Sequence, residues 1–161
     1  MAYPDIIELA AFDGNFDRYI DAVYSAYIDT LVRGNLTFLG KPISFKHAPA
    51  TDGKGFAFWH AVSEAGETQH EDDRTIDLRR CERIAWAAHM LQTVGNDGSS
   101  GNIVWWRPPR ARKRVVVWLR GENYAIVLEE REQFWLFWTA YCVKSNRARS
   151  FSAEHASFWN L

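Results

Sequence analysis

Apolar residues recur at helical spacing in two parts of the chain. Between residues 16 and 32 they fall three or four positions apart, which predicts an amphipathic helix with an acidic outer face. Asn15 can cap this helix, and the Arg-Gly-Asn run at 33–35 is a typical end signal. A second helix is predicted over residues 75–93, with an apolar stripe on one side. Its other side carries Arg79, Arg83, Trp86 and Met90, which follow one another at steps of four, three and four positions.

Strand-like segments fill most of the remaining chain. Residues 36–45 predict a hairpin that turns near Gly40, and residues 56–60 predict a short aromatic strand that ends at His60. Three apolar runs separated by turns predict an antiparallel meander over residues 115–143. This order, helices first and sheet last, is typical of the α+β class. We therefore expect N-terminal helices packed on a C-terminal antiparallel β-sheet of about four strands.

Length and composition favour one compact unit. The chain has 161 residues, 47% of them hydrophobic and 24% charged, which suits a single globular domain and excludes a disordered chain. Within this unit we expect residues 1–35 to form an amphipathic helical segment and residues 36–161 to form the α+β domain.

The sequence also predicts the cellular setting. The longest uncharged apolar run, residues 134–143, is about half of the roughly 20 residues that a membrane-spanning helix needs. The N-terminus lacks the basic and apolar regions of a signal peptide. Cys81 and Cys142 make neither a disulfide framework nor a zinc site. We therefore expect a cytoplasmic protein that does not associate with membranes.

Charge is distributed in blocks that the overall net charge of −1 conceals. Residues 1–73 carry a net charge of −7, residues 74–121 carry +7 and residues 122–161 carry −1. All but one of the ten basic residues in the middle block are arginines, whose planar guanidinium suits phosphate and stacks on bases. The block predicts either a surface that binds a polyanion or a solvated face that pairs with the acidic first block.

Several kinds of catalytic site are excluded by motif. The chain has no glycine-rich phosphate loop and no nucleophile elbow, and its five histidines lack metal-ligand spacing. We therefore expect no metal and no cofactor. The remaining candidates for chemistry are histidine, arginine and hydroxyl side chains. Together they can supply the base, the acid and the positive charge that cleavage of RNA requires without a metal.

A particular order of short motifs runs through residues 36–150. It consists of Phe58-Trp59-His60, then Arg-x-x-Arg-Ile-x-Trp at 80–86 together with the preceding Asp77, then residues 124–131, then Thr-Ala-Tyr at 139–141. In this order the chain resembles the phage-borne nuclease domains of the superfamily that groups the barnase, EndoU, colicin D-type and RelE-like ribonucleases. The acidic first helix and the Trp/Arg-rich insert at 105–114 depart from that pattern.

The resemblance implies an active site on the sheet face and an endoribonuclease that leaves 2′,3′-cyclic phosphate ends without a metal. It also implies a toxin or phage-related effector that often acts on tRNA, with an immunity or antitoxin protein as a partner. We expect His60 to act as general base or acid, Arg83 to stabilise the phosphorane, and Thr139 and Tyr141 to orient the scissile phosphate. The residues expected to bind the RNA are Arg79, Arg80, Trp86, Arg107, Arg110, Arg112, Lys113 and Arg114.

Other interpretations remain open at this stage. His60 and Tyr141 can be structural residues, and Arg83 can simply pair with Glu82. The same fold can serve as a non-catalytic module that binds nucleic acid or inhibits a nuclease. It can also serve as a protein-interaction adaptor with exposed tryptophans, Trp105 and Trp106. A cleft shared by His60, Arg83 and Thr139 would favour the enzyme.

Overall fold

A mixed six-stranded sheet forms the centre of the fold. The structure is a computed structural model and describes residues 3–68, 70 and 73–161. The strands of the sheet are β1 (Thr37–Phe38), β2 (Lys41–Ser44), β5 (Ile103–Trp106), β6 (Arg114–Leu119), β7 (Tyr124–Glu130) and β8 (Trp135–Cys142). Their spatial order is β1-β2-β8-β7-β6-β5. β2 pairs with β8 in parallel, and the other pairs are antiparallel. A separate ribbon pairs β3 (Ser63–Glu64) with β4 (Thr75–Ile76).

Within the described ranges, five α-helices pack around this sheet. They are α1 (Phe16–Tyr27), α2 (Phe56–Val62), α3 (Leu78–Glu82), α4 (Ile84–Thr93) and α5 (Ser145–Trp159). A 3₁₀ turn at Leu9–Phe12 precedes α1, and a π-helical segment at Ile28–Val32 continues it. The predicted α+β class is confirmed. The predicted sheet of four antiparallel strands is too small, because the β1–β2 hairpin and the edge strand β5 also join it.

The first helix forms where the apolar spacing predicts it. The Asn15 side chain accepts a hydrogen bond from the backbone nitrogen of Arg18 at 3.2 Å, which caps the first turn. The chain leaves the helical segment near Asn35, whose φ of 49° lies in the left-handed region. The buried face of α1 consists of Tyr19, Ile20, Val23 and Tyr27.

Two local predictions are wrong. Residues 56–60 belong to helix α2 and not to a strand, because the buried residues Ala57, Phe58, Ala61 and Val62 follow helical spacing over the full segment. The predicted helix over 75–93 is broken at Arg83, whose φ of −105° and ψ of 11° are not helical. Its first two residues pair with β3, and Leu78 is 43% exposed rather than part of a buried stripe.

Both faces of the sheet are covered by apolar side chains, but by different elements. Residues of α1 to α4 and alternate residues of β6 to β8 form the larger core, which includes Tyr27, Ile84, Leu119 and Phe137. The opposite face packs under α5, where Phe151 lies between Trp106 and Trp118 at centroid distances of 4.9 and 5.5 Å. The sequence analysis missed α5 because its residues are mostly small or polar.

Truncation of the buried phenylalanine of α5 tests this second core. We expect Phe151→Ala to lower the free energy of unfolding by about 3–5 kcal/mol, because the side chain is fully buried between two indoles. Arg149→Ala, on the exposed side of the same helix, is the control and should change the free energy by less than about 0.5 kcal/mol. Urea unfolding followed by circular dichroism measures both. Equal effects of the two variants would contradict the packing of α5 on the sheet.

Candidate functional site

The C-terminal end of α2 is bonded to β8 and to neighbouring arginines. The Thr139 hydroxyl donates a hydrogen bond to the His60 carbonyl at 2.7 Å. The Arg80 guanidinium donates to the Ser63 carbonyl and, at 3.4 Å, to the His60 carbonyl. Arg74 donates to the same Ser63 carbonyl at 2.6 Å. These donors satisfy carbonyl groups that a helix leaves without internal partners, and they fix α2 against the central strand.

Arg80 is a largely buried arginine of this region. Its side chain is 13% exposed and lies 3.4 Å from the carboxylate of Asp77 and 3.7 Å from that of Glu64. Asp77 also caps α3 by accepting hydrogen bonds from the backbone nitrogens of Arg79 and Arg80. The guanidinium carbon of Arg80 lies 5.8 Å from the ring of Tyr141. Arg80 therefore connects α2, α3 and β8.

The His60 ring lies between two aromatic side chains. It stacks on Phe56 at 4.2 Å and meets Trp138 edge-on at 6.5 Å. Trp138 is half-buried, at the irregularity where the β7–β8 register shifts. The Arg114 guanidinium lies 4.7 Å from its indole ring. The bulge thus presents an indole beside the imidazole.

Thr139 and Tyr141 lie on the same face of β8, as their spacing predicts. Burial raises the pKa of the Tyr141 hydroxyl, while the positive charges of Arg147 and Arg80 act in the opposite direction. The phenol therefore stays protonated at neutral pH and can donate a hydrogen bond.

These contacts bring cationic, aromatic and hydroxyl side chains together along one strand. We call this group the β8 cluster, and it consists of His60, Arg80, Arg114, Trp138, Thr139, Tyr141 and Arg147. Of the four residues predicted to be catalytic, His60, Thr139 and Tyr141 lie in it. Arg147 was not singled out in the sequence, because nothing marks α5 as a neighbour of β8.

The fourth predicted catalytic residue, Arg83, makes different contacts. Its guanidinium donates to the Glu82 carboxylate at 2.9 Å and to the Arg79 carbonyl at 3.1 Å, and it lies 5.2 Å from the Trp86 ring. The side chain is 19% exposed. The predicted continuous helix is broken at this residue, and Glu82 pairs with the guanidinium.

Three tryptophans that the sequence analysis placed at the surface are buried. Trp86, predicted to bind nucleic acid, donates its indole hydrogen to the Pro4 carbonyl at 2.8 Å. Trp105 and Trp106 pack on the two faces of β5 and donate to the Gly95 carbonyl and the Glu154 carboxylate. None of these three indoles presents an open face for a base or for a partner protein, so the adaptor interpretation loses its basis.

The basic run between β5 and β6 divides into two groups. Arg107 donates to the Glu130 carboxylate at 2.9 Å, and Arg114 lies 3.4 Å from that of Glu129. The Arg107 hydrogen bond and the nearby Lys41 hold the pKa of the Glu130 carboxyl below its usual range. The exposed members of the run are Arg110, Arg112 and Lys113 in the turn, and Arg79 is exposed on α3.

Surface cavities formed by the described residues also lie outside the predicted site residues. The first has a volume of about 400 Å³ and is lined by Pro49, Thr51, Asp52, Phe56, Trp59, Ser63, Arg74 and Ile76. The second, of about 380 Å³, lies beside the loop before β5 and includes Tyr3, His89, Asp97 and Asn102. The only signal for the first cavity in the sequence is the aromatic run before His60.

His155 is a buried histidine in α5. The side chain is 3% exposed, and its Nε2 atom lies 2.8 Å from the Gly98 carbonyl oxygen. Its ring meets Trp106 edge-on at 5.8 Å. His155 therefore attaches α5 to the loop before β5.

The described residues were searched for groups of metal ligands and for membrane-spanning helices. In residues 3–68, 70 and 73–161, no three or more His, Cys, Asp or Glu side chains are grouped so that they could hold a metal ion. Over the same ranges, no helix is both long enough and apolar enough to cross a bilayer.

Comparisons with known proteins do not assign this chain to a family. No protein-family model, curated protein or solved structure matches it. The resemblance to the ribonuclease superfamily therefore stays a prediction that rests on short motifs.

Substitution of Arg80 tests its structural role. We expect Arg80→Met to lower the free energy of unfolding by about 3–5 kcal/mol, because Asp77 would lose a partly buried partner and two carbonyls would lose a donor. Arg80→Lys should restore only part of this loss, because an ammonium group cannot reach all of these acceptors at once. The neighbouring exposed Arg79→Met is the control, and urea unfolding gives all three values. Equal free energies of unfolding for Arg80→Met and Arg79→Met would contradict a stabilising role for the Arg80 hydrogen bonds and ion pairs.

Proposed function

We propose that this protein is a metal-independent endoribonuclease that binds single-stranded RNA across the β8 cluster. The observation that carries the proposal is the position of His60 beside the indole of Trp138 and next to the hydroxyl-bearing face of β8. A histidine is the side chain best suited to transfer protons near neutral pH. Around it, Arg114 and Arg147 supply positive charge, and Tyr141 supplies a hydrogen-bond donor.

The roles of the individual residues follow from their contacts. His60 takes the proton of the attacking 2′-hydroxyl or returns one to the leaving 5′-oxygen. Arg147 and Tyr141 stabilise the charge that develops on the phosphate, because Arg147 is half-exposed and its positive charge acts on the Tyr141 hydroxyl. Thr139 and Arg80 hold the His60 backbone and so position the imidazole. In this proposal Arg147 takes the part that the sequence analysis gave to Arg83.

The same surface suits an unpaired RNA strand. Trp138 offers a half-buried indole for base stacking, and Arg114 covers part of it with a guanidinium. The exposed Arg110, Arg112 and Lys113 in the β5–β6 turn directly precede Arg114 and extend the positive charge for the RNA backbone. The proposal also includes a tRNA substrate and an immunity or antitoxin protein that covers this face. Both come from the resemblance alone.

A second candidate is a non-catalytic RNA-binding module on the same surface. It is favoured by one observation, that Thr139 and Arg80 are engaged by backbone carbonyls and do not point a free group at a scissile phosphate. In that case the β8 cluster would bind RNA and leave it intact.

The first test of the proposal is cleavage. We expect the purified protein to cleave single-stranded RNA in excess EDTA and to leave 2′,3′-cyclic phosphate ends. His60→Ala should reduce the rate by about 10²–10⁴-fold, because proton transfer by a positioned side chain contributes that much. Single-turnover cleavage of an end-labelled RNA measures the rate, and RNA with 2′-deoxy sugars should resist cleavage because it lacks the internal nucleophile.

The controls separate chemistry from folding. His89→Ala removes a half-buried histidine beside the second cavity and should leave the cleavage rate unchanged. Each variant should retain the wild-type unfolding midpoint within a few degrees. Activity that disappears with EDTA and returns with magnesium would contradict the proposal. RNA binding without cleavage would favour the non-catalytic module.

The second test concerns the exposed basic turn. We expect the triple change of Arg110, Arg112 and Lys113 to alanine to weaken RNA binding and to reduce the salt dependence of the binding constant by a slope of roughly 0.7 for each lost phosphate contact. Turnover at saturating RNA should stay unchanged, because these residues lie outside the β8 cluster. Fluorescence anisotropy at several salt concentrations gives the slope. The control is the double change of the exposed Arg18 and Arg33 to alanine. An equal reduction of the salt slope per removed charge in both variants would show that the turn does not contact RNA.

A further inference from the structure

The first cavity has the walls of a small-molecule site. Its volume of about 400 Å³ falls within the range of about 300–1,000 Å³ that ligand pockets occupy. Trp59 forms an aromatic wall, and Pro49 and Ile76 add apolar surface. The indole nitrogen of Trp59 donates to the carbonyls of Thr51 and Lys54 at 3.0 and 3.2 Å, so its ring is held in place by the turn beside it.

Polar groups are present on the same walls. The guanidinium of Arg74 is anchored on Ser63 by hydrogen bonds of 2.9 and 2.6 Å and brings a positive charge to the cavity. The ammonium group of Lys46 lies 4.4 Å from the ring of Phe56, which also lines the cavity. The exposed Asp52 carboxylate is an acceptor at the rim. A fixed indole with cations beside it favours a ligand that combines a flat aromatic ring with negative charge.

The cavity is connected with the β8 cluster through two shared contacts. Phe56 lines the cavity and stacks on the His60 ring at 4.2 Å. The Ser63 carbonyl accepts hydrogen bonds from Arg74 of the cavity and from Arg80 of the cluster. A ligand that occupies the cavity is therefore separated from the imidazole of His60 by a single phenyl ring.

We infer that this cavity binds one unpaired nucleobase of the RNA, with Trp59 as the stacking surface and Arg74 as the cationic neighbour. The bound base would place its own ribose and phosphate next to His60, so the cavity would decide which position of the strand is cleaved. This inference rests on the proposed function for its substrate, but it is tested by binding alone.

Nuclear magnetic resonance of the intact protein tests the inference. The probes are the four ribonucleoside 5′-monophosphates, and ribose 5-phosphate is the matched ligand that lacks a base. Trp59→Phe identifies the Trp59 indole N–H signal among the 8 tryptophans, because that signal is missing from the variant. We expect at least one nucleotide to shift this signal in the wild-type protein, and ribose 5-phosphate to leave it in place.

Affinity measured by calorimetry gives the second readout. Trp59→Leu should weaken binding of that nucleotide by about 5- to 150-fold, the loss expected for one stacked base. His89→Ala in the second cavity should bind it as the wild-type protein does. The wild-type titration does not depend on how the variants fold.

Three results would overturn the inference. They are a Trp59 signal that no nucleotide shifts at millimolar concentration, a shift that ribose 5-phosphate produces equally, and wild-type affinity in a folded Trp59→Leu variant. RNA cleavage without nucleotide binding at Trp59 would overturn this inference and leave the proposed function intact. Nucleotide binding at Trp59 by a chain that does not cleave RNA would overturn the proposed cleavage and leave base binding by the cavity intact.

Discussion

The carbonyl groups at the end of α2 need donors from outside the helix, and meeting that need arranges the candidate site. A helix of seven residues has too few internal hydrogen bonds to be stable alone. Thr139 supplies one donor from the central strand, while Arg74 directly before β4 and Arg80 in α3 supply others. The same bonds that hold the helix also bring the His60 ring to β8. Structural integrity and the position of the imidazole therefore depend on one set of contacts.

Regular apolar spacing explains which elements could be predicted from the sequence. The first helix, the β1–β2 hairpin and the β6–β8 meander each carry a clear period and appear where it places them. α2 was misassigned because five aromatic-rich residues do not distinguish a strand from a helix, and the break at Arg83 leaves the apolar spacing almost unchanged. α5 lacks a strong apolar stripe, since only Phe151 and His155 are buried in it.

The candidate site was predictable only where strand geometry decides it. Thr139 and Tyr141 share a face because side chains alternate along a strand, and motif order brought His60 close to them. Arg80, and not Arg83, contacts the His60 carbonyl, and this difference depends on the break of the helix at Arg83, which the sequence does not reveal. The charge blocks show the same limit. Arg107 and Arg114 pair with Glu130 and Glu129 from the last third of the chain, whereas Arg80 pairs with Glu64 of the acidic first block. Pairing between distant strands cannot be inferred from net charge.

The parallel pairing of β2 with β8 has a consequence for how the chain is made. Ile43 pairs with Trp135, so the hairpin near the N-terminus joins the sheet through a strand that is translated much later. Contacts so far apart in sequence slow folding, because a long loop must close before they form. At the usual pace of about 5–20 residues per second, the ribosome exposes the hairpin seconds before its neighbour exists. No surface that depends on β8 can assemble on the nascent chain until the chain has been synthesised as far as Cys142.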